Sequence, residues 1–214
     1  MEGVREVEGV REVEGVRDGE PVCGSTRSKI TSEREREFFE AVLDEIRTGG
    51  YEAVTMEGVA ARTRCGKSTL YRRWRTKARF VAAALRARRE PRCAGIDTGS
   101  LAGDLRRVAA ATGTWSERDT ALLQALGYAV MTDSDLRDAV RETVIAPEVA
   151  ALEEILRRGV ARGEVPADHP ALAFVPDMIF GATRIRPLLS GRPADADYLR
   201  RYVESAVLPA LGLS

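Results

Sequence analysis

The stretch VTMEGVAARTRCGKSTLYRRWRTKARF, residues 54–80, decides how this chain is read. Thr55 stands where it can N-cap a short helix from Met56 to Thr63, with Met56, Val59 and Ala60 as its inward positions. The turn Arg64-Cys65-Gly66 follows, and a third helix runs from Lys67 to Trp74, carrying Leu70, Tyr71 and Trp74 at i, i+1 and i+4. Upstream, Ser32 followed by Glu35 predicts a capping box. Phe38, Phe39, Val42, Leu43 and Ile46 then recur at helical spacing until Gly49-Gly50 ends the first helix, and Tyr51 and Val54 fold back over its apolar face. A longer helix followed by two short ones across a tight turn, set in basic charge, is a helix-turn-helix.

Charge supports this reading through its placement. The whole chain of 214 residues is neutral, with 33 basic and 33 acidic residues. From Ala60 to Arg92, however, twelve basic residues stand against the single acid Glu90, a local excess of eleven. A solvated helix face mixes signs every few residues, whereas a surface that meets phosphates carries one sign. The acidic remainder keeps the rest of the molecule off a polyanion.

Working outward, a fourth helix is predicted from Lys77 to Arg89, with Phe80, Val81, Ala84 and Leu85 on one face and Pro91 ending it. Asp97 to Ser100 is a polar joint. Beyond it the spacing predicts helices at Leu101–Thr112, Arg118–Met131, Asp135–Arg162 with a break at Pro147, Pro170–Leu189 and Ala194–Leu211, and no strand pattern lasts. The fold expected is all-α, an N-terminal three-helix helix-turn-helix domain over residues 29–90 and a C-terminal helical ligand-sensing and dimerisation domain over 97–214. Residues 1–28 open with three near copies of a hexad, EGVREV, EGVREV and EGVRDG. Six is neither a helical nor a strand period, and each unit carries glycine, so this segment is expected to be a disordered low-complexity tail.

No stretch approaches the roughly 18 consecutive apolar residues of a membrane helix, and the acidic N-terminus lacks the layout of a signal peptide. Cys23, Cys65 and Cys93 are odd in number and form no CxxC pair, which points to reduced thiols. The expected address is cytoplasmic, with no membrane partner.

The run from Val54 to Phe80 resembles the signature of the tetracycline-repressor (TetR) family of transcriptional regulators. In that signature a threonine opens the second helix, an apolar-alanine pair follows, and a turn leads into a recognition helix before an aromatic and a lysine. The match extends from Ile30 to Phe80. The segments Ala161–Pro166 and Leu188–Pro193 are similar to one subgroup of the family's C-terminal domains. The resemblance implies a repressor that binds a two-fold related double-stranded DNA operator as a homodimer and responds to a small-molecule effector. Where the family has Gly-Val-Ser, this chain has Arg64-Cys65-Gly66. Cys65 must then supply the apolar plug, Gly66 caps the third helix without a side-chain oxygen, and Arg64 takes a position that favours positive φ.

On a helix lying in the major groove, Lys67, Ser68, Thr69 and Arg72 stand where they reach base edges. The resemblance implies phosphate contacts for Thr55, Tyr71, Arg73 and Lys77, and a core role for Leu70 and Trp74. In the C-terminal domain Trp115, Leu123, Tyr128, Met131, Phe174, Met178 and Ile179 are candidates to line a ligand cavity, and they equally suit an ordinary bundle core. His169, the one histidine, precedes Pro170 at a helix start and reads as a cap. The last two helices are expected to form a four-helix dimer interface. One face comprises Phe174, Met178, Ile185, Leu188 and Leu189, the other Tyr198, Tyr202, Val203, Val207 and Leu208.

Neither a nucleophile with its base, nor a metal cluster, nor a phosphate loop occurs in the pattern, so no enzyme, metal or cofactor is expected. The alternative is a ligand-independent architectural or adaptor protein that binds DNA. Such a protein would be basic throughout, whereas Asp97 to Ser214 carries seventeen acids against thirteen bases.

Overall fold

Thr31 starts the first helix: its hydroxyl oxygen accepts the amide of Arg34 at 3.2 Å, so the cap lies one residue before the expected Ser32. The computed structural model describes residues 30–88 and 92–214, and the hexad repeats lie outside the described residues. Helix α1 is Ser32–Ala53, broken at Gly50 by a positive φ of 78° that only glycine adopts freely. This break turns Tyr51 and Val54 back onto the apolar face, where both are buried. Helices α2 (Met56–Arg62), α3 (Lys67–Trp74) and α4 (Lys77–Ala87) follow, α2 capped by Thr55 and α4 by Thr76. Where α1, α3 and α4 meet, the core is aromatic. Trp74 packs on Phe80 at 4.5 Å between centroids and on Phe39 at 5.5 Å, with Phe38 edge-on.

The C-terminal part is built on one long helix, α5, Leu101–Thr132. The sequence suggested two helices with a gap around Gly113, but the helix runs straight through. That glycine serves a close approach: a Cβ there would stand 2.4 Å from the backbone of Ala196. Gly113→Ala is therefore expected to lose about 1–3 kcal/mol by overpacking, despite the ~1 kcal/mol that alanine gains within a helix. Urea unfolding of the two proteins measures the difference, and an unchanged midpoint would refute the close approach.

Helix α6 (Ser134–Val140), a π-helical segment (Arg141–Ile145) and α7 (Ala146–Ala161) follow one another without a break. The irregular turn precedes Pro147, which has no N–H for the helical ladder and crowds the carbonyl one turn back. The same device recurs after α8 (Val175–Ser190) and α9 (Ala196–Tyr202). There a π segment at Val203–Val207 leads into α10 (Leu208–Ala210), which contains Pro209. A 3-10 turn, Pro170–Phe174, enters α8, with His169 Nδ1 accepting the Ala171 amide at 3.3 Å.

Leu101, Leu105 and Val108 of α5 meet Leu152 and Ile155 of α7, Ile179 of α8 and Leu199 of α9 in one buried core. Val203, Val207 and Leu208 belong to that core as well, each fully buried. They are thus not the free second dimer face the sequence suggested, because the chain uses them to seat its own last helix on α5. Tyr198 and Tyr202 are half-buried and stack at 6.1 Å. On the first face, Phe174, Ile185, Leu188 and Leu189 remain exposed, and Met178 is half-buried against the core. The joint before α5 is held by Asp104, whose buried Oδ1 accepts the Thr98 amide at 2.6 Å and the Thr98 hydroxyl at 2.8 Å, while Arg162 lies 3.5 Å from Oδ2.

Among the described residues no strand occurs, and no helix is long and apolar enough to cross a membrane.

Candidate nucleic-acid interface and adjoining cavity

Helix α2 ends in a Schellman motif: the Cys65 amide donates to Ala60 O at 2.8 Å and the Arg64 amide to Ala61 O at 3.1 Å, with Arg64 at φ 50°. An arginine therefore occupies the left-handed position that glycine usually fills, a strain of about 1–2 kcal/mol held by its neighbours. Cys65 is half-exposed, so it is not the apolar plug expected of it; Val59 and Leu70, both fully buried, close the angle between α2 and α3. Gly66 caps α3 without a side-chain hydrogen bond. At its other end α3 stops in a γ-turn, with Arg75 at φ 65° and ψ −49° and the Thr76 amide donating to Trp74 O at 2.7 Å. Two strained arginines thus bracket α3. The sequence reading anticipated the first, which stands where the family has glycine, and had no signal for Arg75.

The exposed side of α3 carries Lys67, Ser68, Tyr71, Arg72 and Arg73, with Thr69 half-buried. Lys67 and Arg72 have no hydrogen-bond or ion-pair partner among the described residues, so their charges are free to meet a ligand. Arg73 is held by Glu35 of α1 at 3.1 Å, and the Tyr71 hydroxyl donates to Glu57 of α2 at 3.3 Å. Lys77 donates to Tyr51 O at 3.2 Å and stands 4.0 Å over the Tyr51 ring. Thr55 accepts the Gly58 amide at 3.0 Å and remains exposed at the N-terminus of α2. The residues expected on phosphates are thus braced by the protein, and the first of those expected on bases is unbraced.

A cavity of about 570 Å³ opens between α5 and α8. Tyr128 and Met131 of the expected set line it, together with Ser116, Thr120, Gln124 and Gly127 on α5 and Thr183, Arg184, Ile185, Pro187 and Leu188 on α8. The other expected residues stand elsewhere. The Trp115 ring faces Arg92, Ile179 and Met178 belong to the core side, Phe174 is exposed on the 3-10 turn, and the Leu123 side chain lies outside the described residues. The residues missed leave a trace in the sequence: Ser116, Thr120 and Gln124 stand at i, i+4 and i+8, an uncharged polar stripe along one face of α5. Thr120 donates to Ser116 O and Thr183 to Phe180 O, both at 2.6 Å, which leaves their oxygen lone pairs as acceptors. Cys93, buried beside Arg92 and Glu148, has its thiol pushed up to about 12 by burial and by Glu148, against a lowering by Arg92, and stays protonated.

Residues 39–84 match the family model described as "Bacterial regulatory proteins, tetR family", and residues 96–206 the one described as "Tetracyclin repressor-like, C-terminal domain". The chain is similar to the DNA-binding transcriptional repressor TetR of Mycobacteroides abscessus, with 32% identity over 169 residues, 74% of this chain and 84% of the relative. It is also similar to the HTH-type transcriptional regulator Rv1556 of Mycobacterium tuberculosis, with 28% identity over 180 residues, 84% and 89% of the two chains. Among solved structures, the TetR family transcription regulator SCO0332 matches with a TM-score of 0.62 at 29% identity, covering 80% of this chain and 94% of that one.

Proposed function

The chain belongs to the TetR family of bacterial transcription regulators, and from that membership we propose how its parts divide the work of a ligand-responsive repressor. Residues 29–90 bind the operator and residues 97–214 sense a small molecule and hold two copies together. Lys67, Ser68, Thr69 and Arg72 meet base edges, while Thr55, Tyr71, Arg73 and Lys77 grip phosphates. The observation that carries this reading is the free charge of Lys67 and Arg72 on the exposed side of α3, beside contacts braced by Glu35, Glu57 and Tyr51. A regulator of transcription works beside the chromosome, which places it in the cytoplasm. Selection of genomic fragments by the purified protein tests the assignment: a recurring two-fold related sequence supports it, and fragments without any common sequence overturn it.

The effector is an apolar molecule seated between α5 and α8. Tyr128 and Met131 receive its body, and the threonine oxygens of the wall accept its hydrogen-bond donor. Binding shifts the dimer between two arrangements of its paired α3 helices, which requires only that the ligand favour one of them.

Dimerisation uses the exposed face of α8. Leu188 and Leu189 are 81% and 79% exposed, so their replacement by glutamate leaves the single chain's core intact. The double substitution is expected to weaken the dimer by at least about 2 kcal/mol, roughly thirtyfold, without lowering the helix content. Equilibrium sedimentation reads the result, and an unaltered dimer would place the interface elsewhere.

A further inference from the structure

Arg92 follows α4 in the chain and is buried, with 8% exposure. Its guanidinium stands over two aromatic rings, Trp115 of α5 at 4.6 Å and Phe180 of α8 at 5.4 Å. Its Nε lies 3.6 Å from Oε1 of Glu148 on α7, and its backbone amide donates to the same oxygen at 3.3 Å. One side chain therefore touches three helices of the C-terminal part.

Both aromatic residues adjoin residues that line the cavity. Trp115 precedes Ser116, which lines the deep wall and is buried. Phe180 is tied to the wall through its carbonyl, the acceptor of the Thr183 hydroxyl. On the other side, Glu148 follows the π segment Arg141–Ile145, against which α4 packs. We propose that Arg92 is the positioning residue through which the α5–α8 cavity governs α4. Clasped by Trp115 and Phe180 and paired with Glu148, its guanidinium carries a displacement of the cavity wall to the helix that bears the DNA-binding helices. The inference rests on the reading of that cavity as the effector site.

The physical reason is that a buried ion pair resists separation. A guanidinium drawn away from Glu148 leaves an uncompensated charge in the interior, so wall, arginine and glutamate move together. The pair is also free to take a second arrangement. Arg92 Nε and Glu148 Oε2 are both buried without a hydrogen-bond partner, so the present geometry is not the best either group can reach. Beside them a cleft of about 270 Å³, lined by Arg86 of α4, Ala94, Val144, Pro147 and Glu148, gives the joint room to shift.

A cycle of substitutions tests this without an identified effector, using the full chain and a duplex that the wild-type protein selects from genomic DNA. Gly127→Phe fills the cavity, since a Cβ there meets only the tip of Arg184, at 3.4 Å. In the otherwise natural chain it is expected to change affinity for the duplex about tenfold, within the usual range of coupling between sites. With Arg92→Met the same filling is expected to change affinity less than about twofold, the loss of coupling that a cycle isolates. Glu148→Gln keeps the shape and still accepts the Arg92 amide, so it gives the same readout should Arg92→Met not fold. A residue that only stabilises the chain would leave the effect of filling unchanged. Equal effects in all three backgrounds overturn the role of Arg92 alone. If filling leaves duplex affinity unaltered even in the natural chain, the effector-site reading fails and the coupling with it.

Discussion

Trp74→Ala is expected to cost about 3–5 kcal/mol of stability, the range for truncating a buried tryptophan, against the 5–15 kcal/mol that a domain has in total. Trp74 is the meeting point of α1, α3 and α4: Phe39 and Phe80 pack on it at 5.5 and 4.5 Å, and Phe38 meets it edge-on at 6.1 Å. Each aromatic pair adds about 0.5–1.5 kcal/mol beyond its buried area. Because the residue closes α3, its loss also frees the helix to rotate, and DNA binding is expected to vanish before the chain unfolds. Trp74→Phe keeps a ring and much of the packing and should lose far less. Guanidinium unfolding followed by circular dichroism compares the three proteins. A loss below about 1 kcal/mol for Trp74→Ala would show that the aromatic cluster is not what holds α3.

Lys67→Ala is expected to lower affinity for the selected operator by about 1–3 kcal/mol, some 5- to 150-fold, and to affect random DNA much less. Base readout depends on sequence, whereas phosphate neutralisation does not. Lys77→Ala should do the opposite, weakening binding to all duplexes alike and reducing the salt slope by about one. It also removes the brace between Nζ and Tyr51 O, so a small loss of stability accompanies it and the titrations belong well below the melting temperature. Filter binding at several salt concentrations, on operator and on random sequence, separates the two outcomes. Should Lys67→Ala reproduce the uniform loss of Lys77→Ala, the start of α3 lies on the backbone and the base-reading assignment is wrong.

The helices of the DNA-binding part were legible because their signals are local. Thr55 caps within three residues of the amide it accepts, Leu70 and Trp74 are one turn apart, and the start and end of α3 fall where the sequence placed them. The positive φ of Arg64 was legible only through the family resemblance, which sets this residue where a glycine usually stands. The C-terminal part was legible as helical but not in its continuity or its faces. Gly113 reads as a breaker until Ala196, far along the chain, is seen to lie against it. Val203 and Val207 read as a free apolar face because periodicity says that a face is buried without saying by what. For the same reason, of the six expected residues whose side chains are described, Tyr128 and Met131 alone reach the cavity. A cavity is space that two helices fail to fill, and that depends on how residues distant in sequence pack. The sequence by itself determined the all-α class, the helix-turn-helix and the placement of its charge, all set by neighbours within a turn or two. The tertiary structure alone decided the cavity between α5 and α8, the burial of the last helix and the clasp on Arg92, because each is a contact between segments whose approach no local pattern encodes.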